Sequence, residues 1–133
     1  MSNKQRYSNA FEITIKRYRD PVGKRFLNTQ FCSMCKVTKL ISHNSYECYP
    51  CPMSIKNGWS GCHKFRTYKI VEKALGSNWP REVTGEILTP KLIEAFNKRA
   101  EGLEKILAII EEWPAEWFTI KGCSKAKHIS WNL

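Results

Sequence analysis

A chain of 133 residues with 22 Lys and Arg against 12 Asp and Glu, a net charge of +10, has room for one domain and a modest core but not for a second, independent enzyme domain. The opening MSNKQRYSNAFEITIKR has no apolar stretch ahead of a small-residue cleavage site, and no run of about eighteen apolar residues occurs, so a soluble, cytoplasmic protein with no membrane partner is expected. Residues 1–40 carry nine cations against two acids, whereas residues 81–133 balance at eight and eight, which places the basicity in the first half. Such a surface attracts phosphate backbones or acidic proteins.

In chain order, residues 10–19 (AFEITIKRYR) alternate Phe11, Ile13 and Ile15 with Glu12, Thr14 and Lys16, the period of a half-buried strand. Asp20, Pro21 and Gly23 break it. From 31 to 62 the chain is rich in turn formers and follows neither helical nor strand period, so this segment requires a staple from outside its own small apolar content. Residues 64–75 place Phe65, Tyr68, Val71 and Leu75 on one helical face, with Gly76 as a stop.

The strongest helical pattern covers 89–113. Thr89 is the cap, Pro90 fits the first position, and Leu92, Ile93, Phe96, Ala100, Leu103, Ile106, Leu107 and Ile110 form an apolar stripe before Pro114. Gly102 inside it costs about 1 kcal/mol relative to Ala. The aromatic and β-branched flanks EWFTI and KHISWNL around GCSKA predict a C-terminal hairpin. The expected fold is therefore α+β: a single domain over 1–133, with a small antiparallel sheet, a long helix and a cysteine-ligated, zinc-knuckle or ribbon-like lobe over 31–62.

The lobe rests on two Cys-x-x-Cys pairs, Cys32/Cys35 and Cys48/Cys51, with twelve residues between them. A tight turn brings both thiolates of such a pair to one side of an ion, and two turns complete the four ligands of tetrahedral zinc. Cys62, eleven residues after Cys51, can replace Cys48 or Cys51, so the candidate metal ligands are Cys32, Cys35, Cys48, Cys51 and Cys62. An iron–sulfur cluster is the alternative cofactor, although the ferredoxin spacings are absent. A redox pair wants a Cys-x-x-Cys at the end of a strand and opening a helix, a setting that neither pair has in this reading. Cys123 stands by itself in the predicted hairpin loop, where a buried thiol is the ordinary reading.

A closed site of four cysteines is structural, and no His-Glu-x-x-His or deaminase pattern is present, so an enzyme is not expected. The nearest catalytic pattern is the order His43, Asn57, His63, which matches a metal nuclease of the ββα type only in sequence order, its spacings being too short.

Cations alternate with rings at Arg6-Tyr7, Lys16-Arg17-Tyr18-Arg19, Lys24-Arg25-Phe26 and Lys64-Phe65-Arg66. Cations hold phosphates while rings stack on unpaired bases, so Lys16, Arg17, Arg19, Lys24 and Arg25 are the candidate nucleic-acid contacts, with Phe26, Tyr46 or Tyr49 for stacking.

The run Cys32-Ser-Met-Cys35 … Cys48-Tyr-Pro-Cys51-Pro52-Met … Lys56-Asn-Gly58 … Gly61-Cys62 … Tyr68 resembles small cysteine-rich proteins of bacteriophages and prophages, over residues 32 to about 68 alone. The resemblance implies a metal-binding module without an assigned activity, a phage-like origin, and Cys62 as part of the site. Two functions follow as expectations: a zinc-stabilised basic module that binds single-stranded or structured RNA or DNA, or an accessory or inhibitor protein that docks on a host protein.

Overall fold

A computed structural model of the chain describes residues 1–27, 32–42, 51–53, 62–76, 82–119, 122–126 and 129–133. Four α-helices form among them: α1 (Asn3–Arg19), α2 (Ser33–Ser42), α3 (Arg66–Leu75) and α4 (Pro90–Glu111). Single 3₁₀ turns follow at Ala115–Phe118 and Cys123–Lys125. No strand occurs among the described residues, so the expected α+β fold with a sheet is corrected to an all-helical one.

The segment expected to be a strand is the second half of α1. The Ser2 hydroxyl caps the helix, accepting the Gln5 amide at 3.1 Å, and the buried side chains are Tyr7, Ala10, Phe11 and Tyr18. These positions fall at steps of three, one and seven, a helical face. Ile13, which the alternating pattern assigns to the buried side, is 51% exposed. Three alternating apolar residues are compatible with both periods, and the longer window starting at Tyr7 decides for the helix. The expected C-terminal hairpin is likewise replaced by the 3₁₀ turns, which bury Phe118, Cys123, Ala126 and Ile129.

Helix α4 is the central support, packing against both α1 and α3, while α2 packs on α1. Its face of Leu92, Ala95, Phe96, Ala100, Leu103, Ile106 and Ile110 is buried. The Thr89 hydroxyl accepts the Leu92 amide at 3.3 Å, and Pro90, which has no amide to leave unpaired, opens the first turn. Thr89→Ala is expected to lower stability by about 1 kcal/mol in urea titration, and Thr89→Ser to restore most of it.

Gly102 has a positive role. A Cβ there would lie 2.8 Å from Thr67 Oγ1 and 2.9 Å from the Leu133 carbonyl oxygen, so its absence lets α3 and the C-terminal segment close on α4. That segment is held by the Arg66 amide on the Trp131 carbonyl at 2.7 Å, Arg66 Nε on the Asn132 carbonyl at 3.0 Å, and the Thr67 hydroxyl on the Leu133 carbonyl. Gly76 ends α3 at φ +72°, and its amide reaches the Glu72 carbonyl.

The described parts of residues 31–62 pack more closely on the core than their composition suggests. Met34 and Thr38 of α2 are buried, Val37 and Ile41 pack against the core, and Cys51 and Met53 are core residues themselves. Tyr7 on α1 is fully buried and its hydroxyl lies 2.8 Å from that of Thr38, which donates to the Met34 carbonyl at 3.0 Å. The described parts of the lobe are thus held by apolar packing and this hydrogen-bond chain against α1. Among the described residues no helix is long and apolar enough to cross a membrane.

Candidate functional site

Four of the six cysteines are free thiols that the fold draws toward one region: Cys32 immediately ahead of α2, Cys35 in its first turn, Cys51 beside Met53, and Cys62 just before α3. Cys48 lies outside the described residues. The Cys35 amide donates to Cys32 Sγ at 3.4 Å. The two thiols act on each other first of all: Cys35 is pushed well above the ordinary thiol range, while Cys32 is pulled below it. The Met34 and Cys35 amides and the Arg99 guanidinium favour the Cys32 thiolate further. Burial, then the neighbouring Cys62, raises Cys51, and burial pushes Cys62 up to about 11.

Mutual influence of the sulfurs does not amount to a metal centre. Among the described residues no group of three or more His, Cys, Asp or Glu side chains is arranged to hold a metal ion, which corrects the expectation of a zinc-binding, zinc-finger lobe. Cys32 Sγ accepts the Cys35 amide, and Cys51, 4% exposed, is part of the apolar core.

Arg99 is the participant that sequence reasoning passed over. It projects from α4 into the core, is 3% exposed, and stacks over the rings of Phe65 at 5.9 Å and Tyr68 at 5.6 Å. Its Nη1 donates to Thr67 Oγ1 at 3.1 Å, but Nε has no partner. The signal was present: Arg99 lies three residues after Phe96 and one before Ala100, within the apolar stripe where a cation needs a reason.

The five basic candidates cluster at one end of α1. Lys16, Arg17 and Arg19 form its last turn, and Lys24 and Arg25 follow in the turn made by Gly23 at φ +80°. The Gly23 amide donates to the Val83 carbonyl at 2.8 Å and the Val83 amide to the Lys24 carbonyl at 2.9 Å, which fixes this turn to the segment preceding α4. Arg17 donates to the Arg25 carbonyl and lies 5.7 Å over the Phe26 ring, whereas Arg19 is committed to α4 through Glu104 at 2.6 Å and Asn97 at 3.3 Å. Phe26 stacks with Tyr18 and Phe96, both at 4.7 Å, so it belongs to the core and is not offered to a base. Tyr46, Tyr49, His43 and Asn57 lie outside the described residues, and His63 packs edge-on to Tyr68 at 5.0 Å.

A second basic patch lies on the other side of α4. Arg66, Lys98 and Lys105 line a cleft of about 180 Å³, together with Glu101, Asn132 and Leu133. No protein-family model, curated protein or solved structure matches the chain.

Proposed function

We propose that this protein is a small, basic, all-helical binding module that contacts nucleic-acid phosphates through the C-terminal end of α1 and the turn after it. The observation that carries this reading is the convergence of Lys16, Arg17, Arg19, Lys24 and Arg25 within ten residues at one helix end. The nearby acids are Asp20, which pairs with Lys24 at 3.8 Å, Glu82 beside Gly23, and Glu104, which engages Arg19. The excess of positive charge supports electrostatic capture of a polyanion, with affinity that falls as salt rises.

Fluorescence anisotropy with labelled single-stranded and duplex oligonucleotides tests the proposal. Affinity is expected to drop by about tenfold or more between 50 and 200 mM salt, and the double variant Arg17→Gln, Lys24→Gln to flatten the slope of log affinity on log salt by about 1 to 2. Absence of binding at low salt rejects it.

A second reading, docking on a protein, is favoured by the exposed apolar side chains Ile13 at 51%, Val22 at 48% and Leu40 at 65%. Capture of a single partner from lysate that survives nuclease and is lost with Ile13→Asp selects this alternative.

A further inference from the structure

Helix α3 begins in positive charge. Its first turn contains no acid, its N-cap residue Phe65 supplies no side-chain hydrogen bond, and Arg66 opens it. A helix start carries the positive end of the peptide dipoles and favours anions, so a basic first turn lacks its ordinary partner. The Trp131 and Leu133 carbonyls accept the Arg66 and Thr67 amides, which satisfies these donors without neutralising the charge.

A second observation comes from α4. Arg99 is 3% exposed, and its guanidinium is directed at the same turn, over the rings of Phe65 and Tyr68 and with Nη1 on Thr67 Oγ1 at 3.1 Å. Its Nε has no partner, and none of the salt bridges among the described residues involves it. A buried guanidinium without a carboxylate, set against the positive end of a helix, calls for an anion nearby.

The cleft of about 180 Å³ beside this turn has room for one. Thr67, which receives the Arg99 hydrogen bond, is part of its wall, and Arg66, Lys98 and Lys105 line it. Lys98 and Lys105 are exposed and seven residues apart on α4, two turns along one helical face. Arg66 commits Nε to the Asn132 carbonyl at 3.0 Å, and no salt bridge among the described residues engages Lys105. The acids at hand are Glu101, which also lines the cleft, and Glu94, which holds Lys98 at 3.1 Å; with Arg99 behind the wall, the cations outnumber them. The volume is below the roughly 300–1,000 Å³ that drug-sized ligands occupy, so the space suits one small tetrahedral anion. A guanidinium fork with two ammonium groups matches the oxygens of a phosphate.

We propose that this cleft binds a single phosphate group, held by Arg66, Lys98 and Lys105, with Arg99 and the start of α3 supplying a fixed positive field behind Thr67. The group arrives as free phosphate or as the terminal phosphate of a nucleic acid. The site shares no residue with the basic cluster at the end of α1 and does not rest on it.

The test titrates the full, isotope-labelled chain with inorganic phosphate, at ionic strength held constant with sodium chloride, and follows the amide resonances. Those of Arg66, Thr67 and Gly102 are expected to shift saturably with one dissociation constant of about 1 mM or below. Lys105→Gln should weaken binding by about tenfold, Lys98→Gln in the same direction, and the double variant Arg17→Gln, Lys24→Gln should leave it within about twofold. Both lysines are exposed, and an unchanged circular dichroism melt in chloride shows that the variants stay folded. A 5′-phosphorylated oligonucleotide that displaces phosphate about tenfold better than its 5′-hydroxyl form identifies a nucleic-acid end as the source, and equal displacement identifies free phosphate; both support the site. Phosphate binding that persists where oligonucleotide binding fails supports it independently of the α1 cluster. No saturation by about 10 mM phosphate, or binding that survives both lysine variants, overturns the proposal.

Discussion

Replacing Phe96 with alanine is expected to cost about 3–5 kcal/mol of unfolding free energy, the range for deleting a large buried ring when the site collapses only in part. Phe96 is 1% exposed and joins three elements: its ring lies 5.6 Å from that of Tyr18 on α1 and 4.7 Å from Phe26 in the turn after α1, while its backbone belongs to α4. The lost ring removes contacts that hold α1 to α4 and leaves Tyr18 and Phe26 facing a void. With total stabilities of about 5–15 kcal/mol for small domains, such a loss brings the chain near the unfolding threshold. Urea or thermal unfolding followed by circular dichroism measures it. A change below about 1 kcal/mol would mean that α1 and α4 do not meet at this ring cluster.

Raising the pH above about 9 is the second large perturbation expected. Burial is the first cause that lifts Tyr7, Tyr18, Tyr68, Cys51 and Cys62, and the hydrogen bond to Cys32 lifts Cys35. In the unfolded chain the thiols ionise near about 8.5 and the phenols near about 10. Above those values the folded protein holds more protons than the unfolded one, so stability falls with pH, by about 1.4 kcal/mol per pH unit for each such group. Cys32 has the opposite sign: its folded value is depressed, so its contribution is complete above the unfolded thiol pKa and is lost as pH falls through the folded one. Through the window just above pH 9 the buried thiols Cys51 and Cys62 therefore act together, up to about 3 kcal/mol per pH unit, and the phenols add to this above about 10. Denaturant unfolding at pH 7.5, 9 and 10.5 should show a steep decline that Cys51→Ala moderates. A flat profile would show that these thiols and phenols are solvated.

Much of α4 was legible in the sequence because its signals agree over six turns. Thr89 caps, Pro90 opens, and a stripe from Leu92 to Ile110 keeps one helical phase. The same is true on a smaller scale of Gly76, whose positive φ ends α3. In α1 the signals conflicted. Phe11, Ile13 and Ile15 alternate as a strand would, and only Tyr7 and Tyr18 outside that window reveal the helical face. Helix α2 was hidden by its surroundings, since Met34, Val37, Thr38 and Ile41 make a short stripe inside a segment dominated by turn formers and cysteines.

The thiol site divides in the same manner. Cysteine spacing marked a candidate ligand set, but that spacing is compatible with more than one chemistry, and the setting that distinguishes them is tertiary. Arg99 reads in sequence as one more cation in a basic chain, yet the fold buries it beside Phe65 and Tyr68. Gly102 reads as a flaw in a helix until Thr67 and Leu133 are seen pressed against it.

By itself the sequence determined the charge, the cysteine pairs and the position of the longest helix, because each depends on residues close together along the chain. Tertiary structure decided the all-helical architecture, the placement of the sulfurs and the environment of Arg99. Those depend on which distant surfaces exclude water together, and a local pattern compatible with two periods or two chemistries does not contain that information.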